Sequence, residues 1–335
     1  MKSIVIAAGD EPVSGVASGN LVSRYVPGSK DGRSIMNIHR GFVAALVLTA
    51  LSMPGATTSS AQGAEWKTVE DVFGFPGAPM PGGVIRFNMP RGDLHVTVAG
   101  TEVKPGLALG AWAAFHHVGA NDAMVMGDLV LTEDEVTPVM KALQRGGVEV
   151  TALHNHLLGD SPRILYVHMG GHGDPVKLAQ TIKQAVGLTK TPAPRGGGTK
   201  ETAADLGFDA AAVEKTMGRE GTVSGGVLHF NAPRAEKLTE DGMETPPSMG
   251  AGTSINFQPT GNGRAAIAGD FAMTAKEVGP VMKVLQDNGV QAVALHSHAL
   301  NDVPRLLYMH IWANDDAVTL AKTLRTALDK TNAAK

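Results

Sequence analysis

Apolar and polar residues follow two rhythms along this chain. Alternation with a period of two predicts strands at about 83–88, 94–98, 111–117, 123–131, 148–157 and 162–169. Between the fourth and fifth of these the spacing turns helical, with Val136, Val139, Met140 and Leu143 on one face. Thr132 precedes that face and Glu135 follows it three residues on, the spacing of a capping box, before Gly146-Gly147 ends the run. Glu135 therefore reads as a cap rather than a catalytic acid. Pro138, inside the run, is expected to kink or shorten the start of the helix.

The same grammar returns later in the chain. Residues 127–169 and 269–311 align without a gap at an offset of 142, with 24 identities in 43 positions. Thr274, Glu277, Val278, Pro280, Val281, Met282 and Leu285 repeat the capped helix, which gives Glu277 the capping role of Glu135. Upstream, Gly82-Gly83-Val84-Ile85-Arg86-Phe87 parallels Gly225-Gly226-Val227-Leu228-His229-Phe230. Lys177–Val186 and Thr319–Leu328 are matching amphipathic stretches. Two copies of so long a unit predict two related lobes packed together rather than an open solenoid. The expected fold is α+β: two homologous lobes, each an antiparallel sheet with helices packed on it, at 62–194 and 195–335. A link rich in Pro, Gly, Thr and Lys at 189–202 joins them.

Composition narrows the chemistry. At roughly 150 residues per domain, 335 residues accommodate two. A net charge of -3 without a basic block excludes the electrostatic footprint of nucleic-acid binding. With no cysteine there is no disulfide, thiolate or lipidated side chain, so a metal has to be held by His, Asp or Glu. Near the start, Met36 to Arg40 precede the apolar run Gly41–Leu51, followed by Pro54 and a small-residue tail with Ser59 and Ala61. This reads as a secretory signal over 36–61, its apolar part too short to span a bilayer comfortably. Residues 1–35 read as an extension with little structure, upstream of a true start at Met36. The mature chain, from about Gln62, is expected to be periplasmic or secreted, with no stable membrane span. Its expected partner is a small-molecule ligand, and the pattern fixes no oligomeric state.

Seven of the twelve histidines lie in or just after one duplicated motif. Its first copy runs from Ala152-Leu153-His154-Asn155-His156 through Pro162-Arg163 to Tyr166-Val167-His168; its second runs from Ala294-Leu295-His296-Ser297-His298 through Pro304-Arg305 to Tyr308-Met309-His310. Two histidines one residue apart on a strand share a face, about 6.5–7 Å apart along it. The segments holding Asp160 and Asp302 are turn-like, so each copy is expected to form a hairpin. If residue 154 opposes 166 and 152 opposes 168, then His154, His156, Tyr166 and His168 share a face; a one-residue slip separates them.

The expected centre is a divalent metal at His154, His156 and His168, mirrored by His296, His298 and His310. Zinc is the default, with copper, iron, nickel and manganese left open. Asp160 and Tyr166 are the candidate catalytic residues. Asp160 reads as a ligand, an imidazole-orienting acceptor or a turn acceptor, and Tyr166 as a substrate donor or a cross-strand packing residue. The competing readings are a polar ladder on a half-exposed sheet, and anion binding or acid–base work without metal. Arg163 and Arg305, of opposite parity, read as structural pairing.

The copies differ beside the motif. His116-His117 align with Gln258-Pro259 and His172 with Asn314, which makes the first lobe the richer expected site. Asp174 and Asp316 read as helix caps, and His95 and His229 have no assignment. No Walker loop, dinucleotide fingerprint, Gly-x-Ser-x-Gly elbow or His-Glu-x-x-His motif occurs in a fitting context. The 15 methionines read as core filler, with Met124, Met126 and Met169 of interest only to copper.

The run Met124 to Thr132, with Val148 to His156 and Pro162-Arg163, resembles the bacterial LppY/LpqO family, a domain of unknown function numbered 1259. Ile255 to Pro259, Ala294 to His298 and Trp312 to Asp316 are similar to it as well, so the resemblance spans about residues 65–331. It implies export, in some members as lipoproteins; lacking cysteine, this chain resembles a soluble secreted form. His116 departs from the family, whose usual residue there is similar to Gln258. The resemblance implies no reaction. The residues themselves suggest metal-dependent hydrolase or lyase-like activity, with water activated at His154, His156 and His168 and Asp160 or Tyr166 positioning a small substrate. The alternatives are a non-catalytic metal- or ligand-binding envelope protein and a purely structural envelope module.

Overall fold

The computed structural model describes residues 66–193 and 206–335. The signal expected at 36–61, the extension at 1–35 and the boundary expected at 194/195 lie outside the described residues. The first lobe comprises α1 (Lys67–Phe73), β1 (Ala78–Met80), β2 (Val84–Pro90), β3 (Val96–Val98), β4 (Thr101–Val103), α2 (Pro105–Ala108), β5 (Gly110–Gly119), β6 (Asp122–Thr132), α3 (Glu133–Arg145), β7 (Glu149–His154), β8 (Asp160–Ser161), β9 (Ile164–Gly173) and α4 (Pro175–Val186). The second comprises α5 (Ala210–Met217), β10 (Thr222–Ser224), β11 (Val227–Pro233), β12 (Thr239–Glu240), β13 (Met243–Glu244), a 3-10 turn (Pro247–Met249), β14 (Gly252–Gly261), β15 (Arg264–Met273), α6 (Ala275–Asp287), β16 (Gln291–His296), β17 (Asp302–Val303), β18 (Leu307–Asp316) and α7 (Ala317–Leu328). Six antiparallel strands make each main sheet, in the order β1-β2-β5-β6-β9-β7 and, equivalently, β10-β11-β14-β15-β18-β16. The molecule is α+β and twofold repeated.

Alternation gives each sheet two unlike faces. On one, Phe87, Phe115, Val125 and Val167 pack with Phe73 of α1, Val139 and Leu143 of α3, and Leu178 and Ile182 of α4. The other face carries Arg86, Trp112, Met124, Met126, Asp128, Tyr166 and His168, and it meets the second lobe: Val84, Trp112, Ala114, Met124 and Met126 form one apolar cluster with Met249 and Ala299. The segments between the second and third strands of each main sheet are exchanged. From Thr101 to Leu107 the first lobe's chain runs over the second lobe's sheet, where Gln258 accepts the Lys104 N–H at 2.8 Å and donates to Glu102 O at 2.6 Å, and Asn256 donates to Leu107 O. In return the second lobe's residues 234–251 seat Met249 against Trp112, and Ser248 donates to Pro81 O.

The hairpin register is Ala152 opposite His168 and His154 opposite Tyr166, repeated as Ala294 opposite His310 and His296 opposite Tyr308. Three sequence expectations are corrected. The strand expected over 148–157 ends at His154, so His156 and, likewise, His298 stand in the loop beyond. The strand expected at 94–98 leaves the main sheet and pairs with β4 and β8. Neither Pro138 nor Pro280 shortens the start of its helix, which begins directly after the Thr132 or Thr274 cap and continues past the proline. Each lies one turn in, so the carbonyl it frees, on Asp134 or Lys276, is in an exposed first turn where water satisfies it. Among the described residues no helix is long and apolar enough to cross a membrane.

Candidate metal centre

The facing sheets bring all six motif histidines into one cluster. The rings form three cross-lobe pairs, with centroids 3.8 Å apart for His156 and His310, 3.8 Å for His154 and His296, and 3.9 Å for His168 and His298. His154 and His296 are the central pair, each about 5 Å from the flanking rings: 4.9 Å from His154 to His168, 5.0 Å from His154 to His310, and 4.9 Å from His296 to His310. The halves repeat one stacking contact, His156 on Tyr166 at 3.5 Å and His298 on Tyr308 at 3.3 Å. The histidines expected on each lobe's own hairpin thus meet in one cluster shared by the lobes. Three trios place their ligand atoms within 4.8 Å of one another: His154, His156 and His310; His154, His168 and His296; and His296, His298 and His310. The trio expected in the first lobe, His154, His156 and His168, is not among them, whereas its mirror in the second lobe, His296, His298 and His310, is.

Backbone carbonyls fix the tautomers. A carbonyl only accepts, so Nδ1 donates in His168 to Gly127 O (3.2 Å), in His310 to Gly269 O (3.3 Å), in His298 to Gly250 O (3.1 Å) and in His296 to Ser297 O (3.2 Å). Each of these rings keeps an unprotonated Nε2 that is buried without a hydrogen-bond partner, as is Nδ1 of His154. An outer N–H tied to a backbone oxygen with a bare inner nitrogen is how metal-ligating imidazoles are held. Burial, reinforced by the neighbouring rings, pushes His154, His156, His298 and His310 far below the ordinary imidazole value, and burial takes His296 to about 4. The rings are neutral at pH 7, the form that binds metal.

Two carboxylates that the sequence reading passed over stand among them. Asp128 Oδ2 lies 3.2 Å from His156 Nε2 and 3.8 Å from His168 Nε2, and Asp270 Oδ2 lies 3.7 Å from His298 Nε2. Burial raises Asp128 to about 6, against the pull of His168 and Arg86, and raises Asp270 to about 7. Arg86, which lies 4.0 Å from the Trp112 ring centroid, supplies positive charge near both; burial lowers it to about 10. The available signal was positional: Gly127-Asp128 and Gly269-Asp270 recur at the offset of the histidines, and the aspartates sit opposite His168 and His310 in register.

Of the candidate catalytic residues, Asp160 spends an oxygen on the turn, accepting the Ile164 N–H at 2.7 Å. Tyr166 lies in the cluster with its hydroxyl buried and unpartnered. His117 stacks on Trp66, and His172 lines a cleft of about 150 Å³ between the lobes, with Met124, Met126, Thr151, Glu240 and His298. His298 is the one cluster histidine lining that cleft. His229 bonds Asn256, and His95 is exposed beside Glu102. Arg305 pairs with Asp302 at 2.7 Å and Arg163 approaches Glu133. Asp174 and Asp316 cap α4 and α7.

A comparison with curated proteins finds no match. Solved structures similar to the chain include the trimeric bacterial microcompartment shell protein PduB, at 14% identity over 75% of this chain and 88% of that one, and EtuB from Clostridium kluyveri, at 10% over 76% and 90%. Both have a TM-score of 0.18, too low to bear on fold or function. The family profile described as Domain of Unknown Function (DUF1259) matches residues 67–188 and again 211–330. Those two matches span most of the chain and hold three of the clustered histidines apiece, so the chain belongs to the DUF1259 family, with one copy of its domain in each lobe.

Proposed function

We propose that this is an exported metalloprotein whose centre forms between its lobes and serves hydrolase or lyase-like chemistry on a small substrate. One observation carries the metal reading: five buried imidazole nitrogens lack a partner inside a cluster of neutral rings. Zinc suits neutral imidazoles in the absence of thiolates, with copper, iron, nickel and manganese as alternatives. A bound divalent ion supplies Lewis acidity toward a water or a carbonyl or phosphoryl oxygen. The chain's own groups do the rest. Carbonyls of Gly127, Gly269 and Gly250 hold three rings in place, and Asp128 and Asp270 balance positive charge. The cleft ending at His298 admits the substrate, and the buried, unpartnered Tyr166 hydroxyl is a donor held within the cluster, beside His156. The Met36–Ala61 run and the absence of cysteine support export.

Elemental analysis of protein purified without a metal-affinity resin tests the centre. Stoichiometric metal is expected in the wild type and a large loss in a folded His154→Ala/His296→Ala variant. No metal in either, even after reconstitution with Zn²⁺, overturns the reading. The burial of the rings favours a second reading, a closed, non-catalytic metal-binding protein. Cobalt(II)-substituted protein separates the two: azide shifts the visible absorption bands if a coordination position is open, and leaves them unchanged if the shell is complete.

A further inference from the structure

We infer that the cleft between the lobes takes a short primary amine, bound as its ammonium ion. This names a substrate class for the small substrate proposed above, and it rests on that reading in taking the cleft as the way in. Three carboxylates, Glu149, Glu240 and Asp241, line the cleft, and no lysine or arginine does. Glu240 accepts the Leu300 N–H at 3.2 Å and the Asn301 N–H at 3.0 Å, and Asp241 accepts from Asn301 Nδ2 at 2.9 Å. Those donors are neutral, so they orient the two carboxylates without cancelling their charge. Burial, and then the nearby charges of Asp241 and Asp302, raise Glu240 against those hydrogen bonds. The other polar groups on the wall add acceptors. Thr151 donates its hydroxyl hydrogen to His298 O at 2.7 Å, which leaves its oxygen for a ligand. His298, 4% exposed, donates Nδ1–H to Gly250 O and keeps a buried Nε2 without a partner. A wall of acceptors and negative charge calls for a ligand with donors and a positive charge. Shape narrows the class. About 150 Å³ is the size of cavity that admits benzene, and Met124, Met126, Met243 and Ala299 give the lining apolar surface for a short carbon chain. No Phe, Tyr or Trp lines the cleft, so the aromatic cage that holds a quaternary ammonium is missing and N–H donors have to carry recognition.

Calorimetric titration of the full chain with pentylamine, pentan-1-ol, pentanoate and tetramethylammonium tests this at low salt and neutral pH. Pentylamine is expected to bind about tenfold more tightly than pentan-1-ol and than tetramethylammonium, and pentanoate not at all. Glu149→Gln and Asp241→Asn should each weaken pentylamine by about two- to fivefold, and added salt should weaken it further. Gly170 also lines the cleft, and a methyl there would make only ordinary contacts, 3.6 Å from Thr151 Cγ2 and 3.8 Å from Val125 O. Gly170→Val should therefore fold, fill the cleft and abolish binding; the two carboxylate variants keep the test decisive if it does not fold. Pentan-1-ol or tetramethylammonium binding as tightly as pentylamine overturns the inference, as does pentylamine binding that survives Gly170→Val or is absent from the wild type. Repeating the titration after dialysis against EDTA separates this from the metal reading. Amine binding by a protein that holds no metal upholds the cleft and sinks the metal centre alone, whereas metal without amine binding overturns the inference alone.

Discussion

Gly127 has a carbonyl that holds His168 and no room for anything beyond hydrogen at its α-carbon: a methyl there would meet Trp112 O and Met169 Cε at 2.5 Å. Gly127→Ala should therefore destabilise the protein by about 1–3 kcal/mol in denaturant unfolding, as overpacking does, and weaken metal retention by displacing that carbonyl. Tyr166→Phe should behave otherwise. Its hydroxyl has no partner, so thermal unfolding and metal content should be unchanged or slightly improved. A fall in substrate turnover alone would then mark the hydroxyl as a substrate contact. At this scale the sequence revealed the histidines through their spacing and duplication. It hid Asp128, because one acid in a strand reads as an ordinary polar position until the neighbouring strand places His168 opposite it.

Among the elements, the starts of α3 and α6 were legible and their anchors were not. Thr132 and Glu135 form the capping box that their spacing announces, and so do Thr274 and Glu277. Glu135 also receives Arg91 at 2.7 Å, and Arg91, fully buried, is held by Asp93 as well; Arg234, Glu277 and Glu236 repeat the arrangement. No local pattern links positions 44 residues apart. Burial pushes Glu135 and Glu277 upward, but hydrogen bonds from the arginines and from backbone N–H groups, with the arginine charge, together outweigh it and hold both below the ordinary 4.5; Arg234 takes Glu236 to about 2. Depressed carboxylates stabilise the fold fully above their unfolded values and lose that contribution as pH falls through the folded ones. Stability should thus drop between about pH 4.5 and 2, which acid titration by circular dichroism checks. Glu135→Ala, leaving Asp93 as the one carboxylate on buried Arg91, should cost about 1–3 kcal/mol and flatten part of that acid transition.

For the whole molecule, the repeat was plain in the sequence and the embrace of its halves was not. The segment 91–109 read locally as a further strand, at 94–98, and nothing in 234–251 pointed beyond its own lobe. Only the facing sheets reveal that each covers its partner's polar face. A protease site engineered into 194–205 should, once cut, leave two fragments that co-elute in gel filtration and keep their metal, separating only in denaturant. Their separation in native buffer would show that the exchanged arms bind weakly. The arms also bear on ancestry. A polypeptide carrying a single lobe presents three histidines and an uncovered sheet, and only by pairing with a copy of itself does it assemble the six-imidazole array. The contact between His154 and His296 stands where two such copies would meet. Once two such subunits shared one chain, symmetry ceased to bind them: Arg86 and His229, or His116 and Gln258, were free to take up different work on the two sides of a common centre.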